Sequence, residues 1–282
     1  MKQLLLFLGF FVLLIGCNSQ DGVRQLGSVA ADSSSTTLMD SLENTLEFDD
    51  NVPDSLRKEI MKKISKKYLM GQFDPTQDAR FVQIPALYAH KTMYMRKEAL
   101  AAFEEMHQAA KEAGIDLKIL SATRPFDAQK SIWEAKWMGK RKVDGQFLDP
   151  TVQDPKARAI QILRWSSMPS TSRHHWGTDI DINNLEPEYF ESGQGLKEYN
   201  WLVSNAPAFG FCQVYSVMDE SRPFGYQEEK WHWSYLPISK ELTEAYAQKI
   251  SDQDIAGFLG AESASMIGVV KKYVLGINPA CL

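Results

Sequence analysis

The stretch SRHHWGTDID, Ser172 to Asp181, constrains this chain more than any other. It holds two of the five histidines side by side, with two carboxylates, a tryptophan and a glycine within ten residues. The segment is either a metal site or a coincidence of polar loop residues. A structural zinc takes four protein ligands, whereas a catalytic zinc takes three and keeps one position open. The candidates are His174, His175, Asp179 and Asp181. Read as a strand, DID puts Asp179 and Asp181 on one face and Ile180 on the other. One carboxylate can then meet a histidine delivered by the preceding loop, and Gly177 lets the backbone turn between the two. A further ligand must come from elsewhere, so the fold has to bring a distant segment alongside.

The natural source is YQEEKWHWSY, Tyr226 to Tyr235. His232 lies between Trp231 and Trp233, with Glu228 and Glu229 just before it. KWHWSYLP alternates like a strand. On a strand Glu228, Lys230 and His232 share one face and Glu229 takes the other, a constraint that a loop before the strand would relax. A glutamate near a metal ligand is the usual base for the attacking water. Periodicity does not choose between Glu228 and Glu229.

Around these segments the chain alternates helical and extended patterns. The spacing predicts a helix from Pro53 to Gly71, then a loop through QFDPTQDARFVQIP. A long helix is predicted over Thr92–Gly114, with Gly114 as its cap. IDLKILSA reads as a strand, TRPFDAQKSIWEAKWMG as a turn and helix, and DPKARAIQILRWSS as helical. DIDIN and FCQVY read as strands flanking the helix in LKEYNWLVSNAPAFGF, and the chain from Ser239 as helices. The fold class is α+β in a single domain. The net charge of −5 provides no electrostatic footprint for nucleic acid. His90 and His107 have no partner motif, and the lysines of MKKISKKY read as a solvated helix face.

Three elements now carry a resemblance. Ser172-x-His174-x-x-Gly177-x-x-x-Asp181 resembles the Ser-x-His-x-x-Gly-x-Ala-x-Asp signature of LAS-type zinc peptidases, the lysostaphin, D-Ala-D-Ala peptidase and hedgehog group. Glu229-Lys230-Trp231-His232 resembles the Glu-x-x-His element of that group. SATRPFDAQ resembles the Ser-Gly-Tyr-Arg-Ser...Gln element of its D-alanyl-D-alanine carboxypeptidase branch. The resemblance implies a small antiparallel sheet carrying a zinc site, flanked by helices. It implies Zn2+ held by His174, Asp181 and His232, with Glu229 as general base. Arg124 would bind the substrate carboxylate or the developing oxyanion, and Gln129 and Ser172 would line the same pocket. Trp231 would support His232 by packing. The implied activity is removal of the C-terminal D-alanine from peptidoglycan stem peptides. Sibling activities are an L,D-carboxypeptidase or a D,D-endopeptidase, and a non-catalytic zinc-bearing binding module is the rival from another class. Asp179 stands where the group has a small residue, and Ser234 where it often has Arg; Asp179 is a candidate partner for a ligand histidine.

The first residues add a location. After Lys2, the apolar run Leu4–Ile15 is shorter than the roughly 20 residues of a spanning helix and fits an export signal. LIGC resembles a bacterial lipobox, which implies a signal peptide 1–16, lipidation of Cys17 and a membrane anchor. Polar residues 17–50 read as a tether, and 51–282 as the domain. Asn18, rather than Asp, points to the outer membrane facing the periplasm. Export would put Cys212 and Cys281 in an oxidising compartment, where a disulfide between them is allowed.

Overall fold

The two histidine-bearing segments become neighbouring inner strands of one sheet. In the computed structural model, which describes residues 53–149 and 154–282, the strands are β1 Phe81–Gln83, β2 Tyr94–Arg96, β3 Ile119–Ser121, β4 Asp179–Ile182, β5 Phe211–Gln213 and β6 His232–Tyr235. Strands β1 and β2 form an antiparallel pair, and the other four form an antiparallel sheet in the order β3-β4-β6-β5. Cys17, with the leader 1–16 and the tether 17–50, lies outside the described residues.

The register of β4 against β6 builds the site. Asp181 pairs with His232, Asp179 with Ser234, and Ile180 with Trp233 between them. Side chains alternate across a sheet, so the two polar pairs share one face while Ile180 and Trp233 turn into the core. A one-residue slip would drive both carboxylates into the apolar side, a cost that pins this register.

The helices are α1 Asp54–Lys63, α2 Lys66–Leu69, α3 Lys97–Glu112, α4 Phe126–Trp137, α5 Pro155–Ile162, α6 Gly193–Asn205, α7 Leu236–Lys249 and α8 Ser263–Ile267. They surround the small sheets in an α+β single domain, as the sequence predicts. Phe103, Met106 and Ala110 of α3 are fully buried at helical spacing, and Trp133 of α4, Ile182 of β4 and Leu242 of α7 join the same core.

Four local expectations are corrected. The predicted helix 53–71 is two helices, because the Ser65 hydroxyl accepts the Tyr68 N–H at 3.1 Å and starts a new one. The segment read as a loop contains β1. The predicted helix over 92–114 begins only at Lys97, since Tyr94–Arg96 pairs with β1. That pairing is a tertiary contact which overrides helix propensity. The last helices start at Leu236, with Pro237 in the first turn, where no N–H is needed. Cys212 of β5 is bonded to Cys281, Cα to Cα 5.8 Å, closing a sequence separation of 69. In the chain-entropy description such a closure removes about 4 kcal/mol of unfolded-state freedom.

Candidate metal centre

Ser172 leads into a single 3-10 turn, Arg173–Trp176, that ends at Gly177. Gly177 has φ +77°, and a Cβ there would lie 2.3 Å from the Phe81 ring, so only glycine fits. The turn sends the adjacent histidines to different partners. His174 Nδ1 donates to the Ala122 carbonyl at 2.9 Å, which leaves the lone pair on Nε2. That Nε2 is buried without a hydrogen bond and lies 3.3 Å from Asp181 Oδ2.

His175 is different. Its Nε2 accepts the Ser170 N–H at 3.1 Å, so Nδ1 carries the proton and donates to the Arg124 carbonyl at 2.5 Å. Both nitrogens are spent on backbone. A Cβ on Gly71, which has φ +73°, would meet this ring at 2.4 Å. His175 therefore ties the Arg124 loop to the 3-10 turn, and the Arg124 N–H completes the tie by donating to the His174 carbonyl at 3.0 Å.

Burial pushes His175 down to about 3. Below its unfolded value of about 6.5, only the unfolded chain takes up this proton. Its contribution to stability is therefore full above pH 6.5 and falls by about 1.4 kcal/mol per pH unit as the pH drops towards 3. Thermal melts between pH 7 and 5 should show this slope, and His175→Gln should lose that share of it. An identical slope in the variant would overturn the assignment.

His232 completes the cluster. Its Nε2 donates to Asp179 Oδ2 at 2.8 Å, turning Nδ1 towards Asp181 Oδ1 and Glu229 Oε2, each 3.2 Å away. One ligand atom from each of His174, Asp181 and His232 lies within 4.8 Å of the others. Like His174 Nε2, Asp181 Oδ1 is buried without a hydrogen bond. Orphaned groups of this kind cost free energy unless something else satisfies them. Two imidazole nitrogens and a carboxylate oxygen converging on one point suit a zinc ion.

The electrostatics agree. Burial raises Asp181, but the flanking His174 and His232 overrule it and hold the carboxyl well below its usual range. Burial lowers His232, and Asp179, Asp181 and Glu229 around it win and raise it well above. Three carboxylates about one imidazole are a cation site. Asp179, fully buried, is held low against burial by the Arg173 guanidinium and by His232. Arg173 Nε donates to Asp179 Oδ2 at 3.1 Å, and the Ser234 hydroxyl donates to Oδ1 at 2.6 Å. Asp179 is thus the partner that orients a candidate ligand histidine. Arg173, which sequence reasoning passed over, anchors it.

The cluster lies in a cleft of about 800 Å³. Arg124, Gln129 and Glu229 line it, whereas Glu228 does not. Burial raises Glu229. Arg124 Nη1 reaches only Ser121 Oγ, at 3.4 Å, and its Nε has no partner. Gln129 donates to the Ser167 carbonyl at 2.7 Å and leaves its Oε1 unpartnered. Two expectations change. Ser172 is 2% exposed and outside the cleft wall, because the turn that aims His174 outward tucks Ser172 beneath. Trp231 lines the cleft, stacked on Trp165 at 6.0 Å between ring centres, and the rings against His232 are those of Tyr215 and His174, each at 4.7 Å. Trp231 sits in the turn just before β6, so strand alternation does not fix where its ring goes.

Residues 92–238, just over half of the chain, match the family model described as "VanY: D-alanyl-D-alanine carboxypeptidase". A Bacillus subtilis protein described as "Putative carboxypeptidase YodJ" is 28% identical over 203 residues, 70% of this chain and 64% of that protein. A D-alanyl-D-alanine carboxypeptidase of Enterococcus faecalis is 30% identical over 145 residues, 51% of this chain and 49% of that protein. The chain thus spans less than two thirds of each of these two relatives. Among solved structures, a vancomycin-resistance D,D-pentapeptidase VanY in complex with Zn(II) is 23% identical, with a TM-score of 0.42 over 64% of this chain and 93% of that one.

Proposed function

This chain belongs to the VanY family of D-alanyl-D-alanine carboxypeptidases, and from that premise we propose that it is a zinc-dependent enzyme removing the C-terminal D-alanine from peptidoglycan stem peptides. One observation carries the reading. His174 Nε2 and Asp181 Oδ1 are buried, unsatisfied and gathered with His232, and Glu229 Oε2 lies 3.2 Å from His232 Nδ1.

His174, Asp181 and His232 would hold the zinc, which when bound supplies Lewis-acid polarisation of the scissile carbonyl and makes a water acidic enough to react near neutrality. Glu229, raised by burial, would take a proton from the attacking water and return it to the leaving amine, a role that favours a pKa nearer the working pH. Arg124 has donors unspent within the protein. They suit the terminal carboxylate or the oxyanion. Gln129 offers its free Oε1 to a substrate N–H. Asp179 and Arg173 keep His232 turned so that Nδ1 faces the cluster.

The proposal extends to location. The leader, the lipobox-like LIGC and Asn18 support export and anchoring through Cys17 in the outer membrane, facing the periplasm. The Cys212–Cys281 disulfide fits an oxidising compartment.

Mass spectrometry of muropeptides tests the activity. Pentapeptide stems should lose one terminal D-alanine, chelation should stop the loss, and added zinc should restore it. No metal-dependent cleavage of any stem would defeat the enzyme reading. Trimming of tetrapeptides alone would replace it with the L,D activity, and cutting of cross-linked dimers alone with the endopeptidase.

A further inference from the structure

One face of α4 lines the cleft through Gln129, Ile132 and Lys136, spaced i, i+3 and i+7. Lys136, at the far end of that face, is 8% exposed. Its ammonium has three protons to donate, and the one acceptor it reaches is Ser166 Oγ, at 2.5 Å. Ser166 is also a wall residue. Among the described residues, no carboxylate pairs with Lys136. Burial, with repulsion from Arg141 and Arg124, pushes the ammonium down to about 8, so it remains largely charged at neutral pH.

A cation buried without a counter-ion is costly, and buried charges are paired as a rule. Of the acids of the cleft, Asp181 and Glu229 belong to the metal cluster, and Asp144 is taken by Arg164 at 2.6 Å and by the Trp165 indole N–H. Glu186 and Glu188 also line the cleft, but they are exposed on its wall and neither pairs with Lys136. With no carboxylate of the described residues paired to it, the Lys136 ammonium is left to meet an anion that enters the cleft. Seven helical residues separate Gln129 from Lys136, about 10 Å along the wall at 1.5 Å per residue. Since a peptide advances about 3.3–3.6 Å per residue, Lys136 reaches a different part of a bound peptide from the part Gln129 meets.

We propose that Lys136 and Ser166 form a second carboxylate-binding subsite in this cleft, and that the preferred substrate carries a side-chain carboxylate besides its terminal one. The inference rests on the reading of the cleft as a peptide carboxypeptidase site. The chemical class is a stem whose diamino acid is a dicarboxylate with its side-chain carboxyl free, rather than amidated or absent.

Two acyl-tripeptides ending in D-Ala-D-Ala test it, identical except that the residue before the alanines bears a free side-chain carboxylate or its carboxamide. The zinc-loaded protein should favour the carboxylate peptide about tenfold or more in kcat/KM, chiefly through KM, as expected for a charge-assisted hydrogen bond. In Lys136→Gln, or Lys136→Met should that variant fold better, the ratio should collapse to about one. A ratio near one in the unaltered protein would overturn the proposal. So would a ratio that survives in the variant, or a parallel loss on both peptides, which would place Lys136 on the terminal carboxylate or in the structure alone. Calorimetric binding of both peptides to Glu229→Gln, with and without Lys136→Gln, separates this idea from the enzyme reading. Turnover of neither peptide would sink the carboxypeptidase, while a binding preference lost with Lys136 would still support the subsite and no preference would refute it.

Discussion

Glu229→Gln is expected to lower turnover by about 10²–10⁴-fold, the usual worth of a positioned general base, while zinc stays bound. Glutamine keeps the shape of the side chain and cannot take a proton. The residue is 7% exposed and its Oε2 lies 3.2 Å from His232 Nδ1, within reach of anything the cluster holds. The candidate ligands are His174, Asp181 and His232, so the substitution removes none of them. Single-turnover kinetics beside elemental analysis separates the two quantities. Activity within tenfold of the unaltered enzyme, at full metal content, would remove Glu229 from the proton transfer. Loss of metal in proportion to activity would make it a ligand instead.

The second large effect is on stability. Arg173→Met is expected to destabilise the apo protein by about 3–5 kcal/mol, the cost of breaking a buried ion pair on one side. At about 2–4 °C per kcal/mol for a chain of this size, the melting temperature should fall by roughly 10 °C. The guanidinium is 1% exposed and donates to Asp179 at 3.1 Å, Thr243 at 2.8 Å and Ser234 at 3.2 Å, while lying 4.6 Å over the Trp176 ring. Without it, Asp179 keeps a charge at 0% exposure against His232 and the neutral hydroxyls of Ser234 and Thr178. The double variant Arg173→Met/Asp179→Asn should recover part of the loss, because the uncompensated charge is gone. Calorimetry on chelated protein is the measurement, since bound metal would shift the transition by mass action. A fall under about 2 °C, or no recovery in the double variant, would show that the Arg173–Asp179 pair does not hold this part of the fold.

The arrangement around Asp179 illustrates what can be read from a chain alone. The group's small residue has become Asp179 and its frequent Arg has become Ser234, two departures that looked unrelated 55 residues apart. The register joins them as a cross-strand pair, and Arg173 supplies the cation from the neighbouring turn. Nothing local marks Arg173. The strands β1 and β2 were missed for a similar reason, since each is three residues long and exists by pairing with the other. Trp231 stands in the turn just before β6 and lines the same cleft as His232, a placement that the tertiary structure sets.

Local chemistry and periodicity were sufficient for the α+β class, the long helices, and a pool of candidate ligands, His174, His175, Asp179, Asp181 and His232, from which the resemblance to a family selected His174, Asp181 and His232. Donor type and period-two or period-3.6 spacing are properties of neighbouring residues, so they are written along the chain. The resemblance favoured His174 over His175, and the tertiary structure supplies the physical reason that only His174 has a nitrogen free to bind. That reason rests on Ala122 and Arg124, whose carbonyls lie some 50 residues away and fix the tautomer of each ring. The tertiary structure also decided that Glu229 lines the cleft and Glu228 does not, and that Lys136 is buried with no carboxylate of the described residues paired to it. Hydrogen-bond partners and desolvation depend on what arrives within about 3 Å from distant parts of the chain, and no short segment carries that information.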